Sequence, residues 1–270
     1  MRDHDCIAFL QRYLPYLGLR WPGYRKVRRT VCKRLARRLR ALNLENLSDY
    51  GNLLLTDPME QAHFDTLCRI PISRFYRGRK VFDLLGESYL PCLAQEAAER
   101  SAAEVRTWCA GSASGEEPYS LKLIWEVKVQ RLYPALRLSI VATDVDPHML
   151  ERAKAASYRP GSLKDLPPPL KENGFESRDG SYCLRPEFKD GITFLCQDIR
   201  KEAPEGSFDL VLCRNLAFTY FETDIQCDVF ARLERHLRPG GFLMIGAHES
   251  LPATQTIFHR DDRLPIYRKY

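Results

Sequence analysis

No stretch of this 270-residue chain approaches the roughly 18 consecutive uncharged apolar residues of a membrane-crossing helix, so no membrane span is expected. The first residues, Met1-Arg2-Asp3-His4-Asp5-Cys6, hold no apolar signal core, and a cytoplasmic protein is expected. The nine cysteines are scattered, odd in number and without a CxxC pair. That pattern argues against a disulfide framework and against a structural zinc site. Reduced thiols and no bound metal are expected. The GxGxxG signature of dinucleotide binding is missing, and so is the Lys-Ser/Thr ending of a phosphate-binding P-loop. No internal repeat and no long low-complexity tract is present. Finally, residues 6–44 contain no acid at all.

That last absence is matched by an excess. Residues 6–44 carry eleven positive side chains: Arg12, Arg20, Arg25, Lys26, Arg28, Arg29, Lys33, Arg34, Arg37, Arg38 and Arg40. The whole chain has a formal charge of +6, so the remainder sums to −5. A basic segment on a mildly acidic body attracts an acidic partner: a carboxylate-rich protein surface, nucleic acid or anionic lipid. No aromatic-interleaved basic strand supports nucleic-acid readout. Hydrophobic content of 44% and charged content of 28% are ordinary for a globular protein. The length suits one large domain, or a medium one beside a small one.

Helices are expected at 5–17 and 24–42, the second from Val27, Val31, Leu35, Leu39 and Leu42 at three- to four-residue spacing. Shorter helices follow at 47–55, capped by Ser48, and at 58–69. A linker helix or helix pair covers 79–100, interrupted near Pro91. From there strands and helices alternate. Strands are expected at 105–110, 138–143, 192–196, 208–213 and 242–247, and helices at 118–132, 148–156 and 224–237. Residues 157–193 read as loop-rich, Pro239-Gly240-Gly241 as a turn, and Ile257–Arg268 as a closing hairpin. The division expected is a basic helical domain over 1–78, linker helices over 79–100 and an α/β domain over 101–270. Alternating strands and helices imply a doubly wound, mostly parallel sheet, which takes ligands at the carboxyl ends of its strands.

Three of those ends carry chemistry. After the first, Gly111-Ser112-Ala113-Ser114-Gly115-Glu116-Glu117-Pro118 joins small residues to a helix start. Small residues admit close backbone approach, a helix N-terminus favours a carboxylate, and Glu117 can pair with an α-amine. The alternative is a tight turn with a solvated glutamate pair. Asp144 ends the second strand, placed to accept from ribose hydroxyls; the alternative is a helix cap, a role that suits Asp146 better and leaves Asp144 free. Asp198 follows the strand ending near Cys196 and can accept from an adenine amino group. Partners for an amine, a ribose and an adenine together fit an adenosyl amino acid better than a dinucleotide.

These residues resemble the chemotaxis receptor methyltransferase (CheR) family. The resemblance lies in Ala110 to Ser120, in Ala142-Thr143-Asp144-Val145-Asp146, in Phe208 to Asn215 with its Cys213-Arg214-Asn215 ending, and in Leu237-Arg238-Pro239-Gly240-Gly241. Arg34 to Leu39 is similar to the family's basic helix, and Phe75-Tyr76-Arg77 to its Phe-Phe-Arg segment. The resemblance implies a seven-stranded Rossmann-like methyltransferase sheet behind a small all-helical domain. It implies S-adenosylmethionine (SAM) as cofactor, S-adenosylhomocysteine (SAH) as product, and a glutamate side chain of a receptor as methyl acceptor. By the same resemblance Ser73 and Arg77 hold cofactor or substrate from the helical side. Ala110 and Gly111 line the close approach, Glu117 binds the methionyl amine and Asp144 the ribose. Asp198, Ile199, Arg214 and Asn215 complete the pocket, and Arg77 with Tyr220 serves the acceptor. Two departures stand out. The family's Asn-x-Thr-x-Phe-Phe-Arg is here Pro71-Ile72-Ser73-Arg74-Phe75-Tyr76-Arg77, and four residues rather than three separate Asn215 from Tyr220. They leave two other readings: a small-molecule O-, N- or S-methyltransferase, and a non-catalytic protein that senses SAM or docks nucleic acid.

Overall fold

The computed structural model describes residues 2–252, 258–261 and 264–270. Its helices are α1 (Asp3–Tyr13), α2 (Trp21–Tyr24), α3 (Arg28–Ala41), α4 (Leu47–Thr56), α5 (Pro58–Cys68), α6 (Arg79–Leu84), α7 (Leu90–Glu99), α8 (Glu116–Ile124), α9 (Pro147–Ala155), α10 (Pro168–Gly174), α11 (Ala217–Tyr220) and α12 (Thr223–His236). Its strands are β1 (Glu104–Ala110), β2 (Arg137–Asp144), β3 (Ser157–Tyr158), β4 (Phe175–Arg178), β5 (Ser181–Leu184), β6 (Ile192–Cys196), β7 (Phe208–Cys213), β8 (Leu237–Ile245), β9 (Phe258–Arg260) and β10 (Ile266–Lys269). Two compact units result, Met1–Ile70 with Asn215–Cys227, and Pro71–Arg214 with Asp228–Tyr270. Among the described residues no helix is long and apolar enough to cross a membrane.

The first unit is helical. On α1, Cys6, Phe9, Leu10 and Tyr13 fall on one face and are buried; on α3, Val31, Leu35 and Leu39 do the same. Phe9, Tyr13, Tyr50 and Phe64 form an aromatic cluster between α1, α4 and α5. Glu60 is buried beneath it. The Arg38 guanidinium donates to both of its oxygens and the Tyr50 hydroxyl donates at 2.6 Å. Burial pushes the Glu60 carboxyl up, but these donors outweigh it and hold the group below its ordinary range. The cap of α4 is Asn46, whose side chain accepts from the Asp49 amide at 2.9 Å, not Ser48. Asparagine at that position reaches the third amide directly, while Ser48 already lies within the helix.

The cysteine expectation is corrected here. Cys6 on α1 and Cys32 on α3 form a disulfide, with Cα atoms 6.0 Å apart, while the other seven cysteines are free. Spacing along the chain could not reveal the pair, because only the packing of two helices brings residues 26 apart together.

The second unit carries the sheet, in the order β6-β2-β1-β7-β8-β10-β9. Neighbours from β6 to β8 run parallel, and β10 and β9 close the edge antiparallel. The expected doubly wound, mostly parallel seven-stranded architecture is therefore present. All six residues of β7 are buried, as a strand covered on both faces requires. Near-continuous helix covers 79–99, with a π-turn at Leu85–Tyr89 rather than a break; Pro91 sits harmlessly in the first turn of α7. Pro239-Gly240-Gly241 does turn the chain, with Gly240 at φ 80° after a proline. The turn lies inside β8, where the register against β7 slips: Phe208 faces Leu237, and Leu210 faces Phe242. The expected closing hairpin is formed by β9 and β10, with Ile257 outside the described residues. Residues 157–193 are not merely loop: β3, β5 and β4 make a small antiparallel sheet, β4 and β5 joined across Asp179-Gly180, both at positive φ.

Candidate functional site

The strand order reverses around β1. The chain passes from β1 to β2 on one side, ends that wing at β6, and resumes with β7 on the other side of β1. Ligands of doubly wound sheets bind outside the carboxyl ends of strands at such a switch. Register aligns the ends there: Ala110 opposite Thr143 and Cys213, and Asp144 opposite Cys196.

Residues 111–115 leave β1 as a compressed turn. Gly111, Ala113 and Gly115 all have positive φ, at 76°, 47° and 88°. Glycine tolerates that conformation; alanine pays local strain for it. A Cβ on Gly115 would stand 2.9 Å from the Cβ of Ala153 and 3.0 Å from the Tyr119 ring, so only glycine fits. The amides of Gly111 and Ser112 donate to the Thr143 carbonyl at 2.8 and 3.0 Å, and that of Ala113 to the Asp144 carboxylate at 2.8 Å. These amides thus tie the turn to the end of β2. Ala110 is buried behind them.

Asp144 is not left free, as the sequence suggested. One oxygen takes the Ala113 amide and the other takes the Asp146 amide at 2.9 Å. The carboxylate that ends β2 is thus held by two backbone amides, one on each side of it. Asp146 caps α9 as expected, accepting from the His148 amide at 2.9 Å. Asp144→Ala is expected to weaken SAH binding by about 1–3 kcal/mol, the scale of lost buried hydrogen bonds, and to loosen the 111–115 turn as well. Calorimetric titration gives the first effect; unchanged affinity would refute the ribose assignment.

Neither glutamate of the 116–117 pair is solvated. Glu116 is 2% exposed and receives the Ser114 hydroxyl, 3.2 and 3.0 Å from its two oxygens. The Glu117 side chain is 15% exposed and paired at 2.8 Å with Arg214, itself 5% exposed. The second terminal nitrogen of Arg214 donates to the Arg77 carbonyl at 2.8 Å, and its guanidinium lies 5.3 Å from the centre of the Phe82 ring. Arg214 therefore ties the end of β7 to α8 and to the 71–78 segment. In that segment Arg77 reaches back to the Ile72 carbonyl at 2.6 Å, Ser73 is half-buried, and the Tyr76 amide donates to Ser120 at 3.0 Å.

Beyond β6, Asp198 meets its own neighbour. Arg200 donates to both of its oxygens, with a closest approach of 2.8 Å. Burial pushes the Asp198 carboxyl up, but the Arg200 hydrogen bonds and charge prevail and hold it below the usual range. Ile199 is buried, its carbonyl accepting from Arg232 at 2.7 Å. Asn215 and Tyr220 belong to the first unit. Asn215 adopts a left-handed conformation with φ 53°, and Tyr220 ends α11, its ring 5.1 Å from that of Tyr24.

Among the described residues, three buried polar atoms at the strand ends find no hydrogen-bond partner: Ser112 Oγ, Gln197 Oε1 and Arg214 Nε. Buried polar groups are nearly always satisfied, so the ends of β1, β6 and β7 present the unmet donors and acceptors that a polar ligand would fill. Ser112 and Gln197 were not singled out from the sequence, although each adjoins a residue that was. Their signal is position alone.

The family model described as the SAM-binding domain of CheR methyltransferase matches residues 72–263, and the one described as the CheR all-alpha domain matches residues 26–65. A chemotaxis protein methyltransferase of Listeria innocua is 31% identical over 198 residues, covering 73% of this chain and 72% of that protein. The chemotaxis protein methyltransferase of Escherichia coli is 30% identical over 229 residues, covering 82% and 76%. An uncharacterized 104.1 kDa protein of Rhodobacter capsulatus is 34% identical over 229 residues; they make 85% of this chain but 24% of that protein, so the chain spans about a quarter of its length. Among solved structures, the N-methyltransferase NodS of Bradyrhizobium japonicum in complex with SAH matches at 16% identity over 59% of this chain and 61% of that one, with a TM-score of 0.32.

Proposed function

This chain belongs to the CheR family of SAM-dependent methyltransferases, and from that premise we propose that its methyl acceptor is a glutamate carboxylate on an acidic protein segment, converted to a methyl ester. When bound, SAM would supply an electrophilic methyl group on its sulfonium, which bonds to the acceptor oxygen as the C–S bond breaks and SAH is left. The unmet polar atoms of Ser112, Gln197 and Arg214 fit a ligand with amine, carboxylate and hydroxyl groups. In this reading Glu117 takes the methionyl amine, Asp144 the ribose hydroxyls and Asp198 the adenine amino group. Ala110 and Gly111 allow close approach, and Ser73, Arg77, Ile199, Arg214 and Asn215 complete the binding set.

A carboxylate acceptor has a reference pKa near 4.3 and is ionised at neutral pH. No residue has to remove a proton from it. What it needs is positioning, with oxygen and methyl about 3–3.5 Å apart. Arg77 offers a planar fork to a carboxylate, and Tyr220 a hydroxyl donor.

The observation that carries the protein substrate is the division of labour on α3. Arg28 pairs with Asp3, Arg34 donates to the carbonyls of Leu67 and Arg69, and Arg38 binds Glu60. Those three are engaged within the unit. Arg29, Lys33, Arg37 and Arg40 follow at intervals of four, four and three, which is one helix face, and all four are exposed. Among the described residues no acid pairs with Arg29, Lys33 or Arg37. An exposed positive stripe about three turns long suits an acidic helix or strand.

With methyl-labelled SAM and a glutamate-rich peptide, label should appear on the peptide and be released by mild base. Reversing the stripe with Arg29→Glu, Lys33→Glu and Arg37→Glu should remove most of that label while SAH affinity stays as it was. Label confined to small molecules from a metabolite extract would overturn the protein substrate.

A further inference from the structure

We propose that Arg20 is a positioning residue for Tyr220, acting through the backbone of the short helix that ends in it; this rests on the reading of Tyr220 as an acceptor-side residue. The inference starts from α11, four residues long, with Tyr220 at its C-terminus. The last carbonyls of a helix have no donor within it; burial of Ala217 and Phe218 seats the turn, but those carbonyls still need donors. Here the carbonyls of Phe218, Thr219 and Tyr220 are all taken up by one residue. The Arg20 guanidinium donates to Phe218 and, through Nε at 3.2 Å, to Thr219; the Arg20 amide donates to Tyr220 at 2.8 Å. A planar fork with donors at fixed spacing suits adjacent carbonyls in a way an ammonium does not.

Neighbours of Arg20 close the same grip. The Glu222 amide donates to the Gly18 carbonyl at 2.9 Å, and Leu19 forms an isolated antiparallel bridge with Phe221. A Cβ on Gly23 would lie inside van der Waals distance of the Thr219 carbonyl, so the two backbones touch. The ring of Tyr24 lies 5.1 Å from that of Tyr220 and is itself held, its hydroxyl donating to the Cys68 carbonyl at 3.1 Å. Residues 18–24 thus clamp 218–222 from both sides of the tyrosine, all within the first unit. The clamp bears on the four-residue spacer between Asn215 and Tyr220. A longer spacer alone would let the ring wander; the grip on three consecutive carbonyls gives it one place.

The test places 3-fluorotyrosine at position 220 and follows its fluorine resonance in the full chain. Arg20→Ala and, independently, Gly23→Ala should shift or broaden that resonance, while SAH affinity is unchanged. Arg20→Lys should move it less than Arg20→Ala. With the glutamate-rich peptide as acceptor, Arg20→Ala should lower kcat on the order of 10- to 100-fold, the scale of an ångström-sized misplacement. In a Tyr220→Phe background the same change should cost less than about twofold, since the residue it positions has lost its hydroxyl. An unmoved resonance in both Arg20→Ala and Gly23→Ala overturns the clamp, and so does an equal loss of kcat in the two backgrounds. Full activity of Tyr220→Phe overturns instead the acceptor-side reading of Tyr220, and the positioning role falls with it.

Discussion

Arg214→Ala is expected to cost on the order of 3–5 kcal/mol of folding stability, the penalty for stripping one partner from a buried ion pair. The pair is set deep in the second unit. Glu117 and Arg214 meet at 2.8 Å with most of both side chains out of solvent, and the same guanidinium holds the Arg77 carbonyl. Alanine would leave a largely buried carboxylate without its counter-charge and take the guanidinium off the ring of Phe82. The sign can be separated from simple loss of contact. Glu117→Gln with Arg214→Met removes both charges together and should be less damaging than Arg214→Ala, because nothing charged is left behind. Urea denaturation decides it: an Arg214→Ala protein within 1 kcal/mol of the parent would mean that solvent reaches Glu117 and that the pair does not organise the site. In the double variant SAH should bind poorly even where folding is restored.

Breaking the Cys6–Cys32 bridge should lower the stability of the first unit by about 3.5 kcal/mol, the chain-entropy value for a closed loop of roughly 27 residues. Few other cross-links could mask the loss. The Arg28–Asp3 pair also joins α1 to α3, but both side chains are substantially exposed, and such pairs contribute roughly 0–1 kcal/mol. The remaining cysteines are free, so a reductant has no other bond to break. Thermal unfolding of the parent should shift down when dithiothreitol is added, while a Cys6→Ser, Cys32→Ser protein should melt at the same temperature with and without it. A parent indifferent to reductant would mean that the bridge adds no stability.

Much of the architecture was legible because it is written in long patterns. Strands such as 208–213 and helices such as 28–41 are long enough for burial to impose a period, and their alternation implied the parallel sheet. What escaped was short or nonlocal. β3, β4 and β5 have two to four residues each, too few for a period, although Asp179-Gly180 is a strong hairpin signal that residues 157–193 contained all along. Pro239-Gly240-Gly241 spells a turn locally and makes one, but that pairing with β7 continues on both sides of it was not legible. The site divides in the same way. Its acids stand at the strand ends where the topology implied them. Their partners were hidden: Arg214 lies 97 residues from Glu117, and Asp198 is engaged by Arg200, a neighbour whose direction the sequence does not give.

The division of charges on α3 has a consequence for salt. At 0.15 M ionic strength fields between exposed charges fade over about 8 Å, whereas Arg38 meets a buried Glu60 and that pair is screened less. Counterions would therefore quiet the outward face of this helix while leaving its inward anchors intact. Encounter with an oppositely charged protein slows in brine, and the helices that present the stripe stay in place.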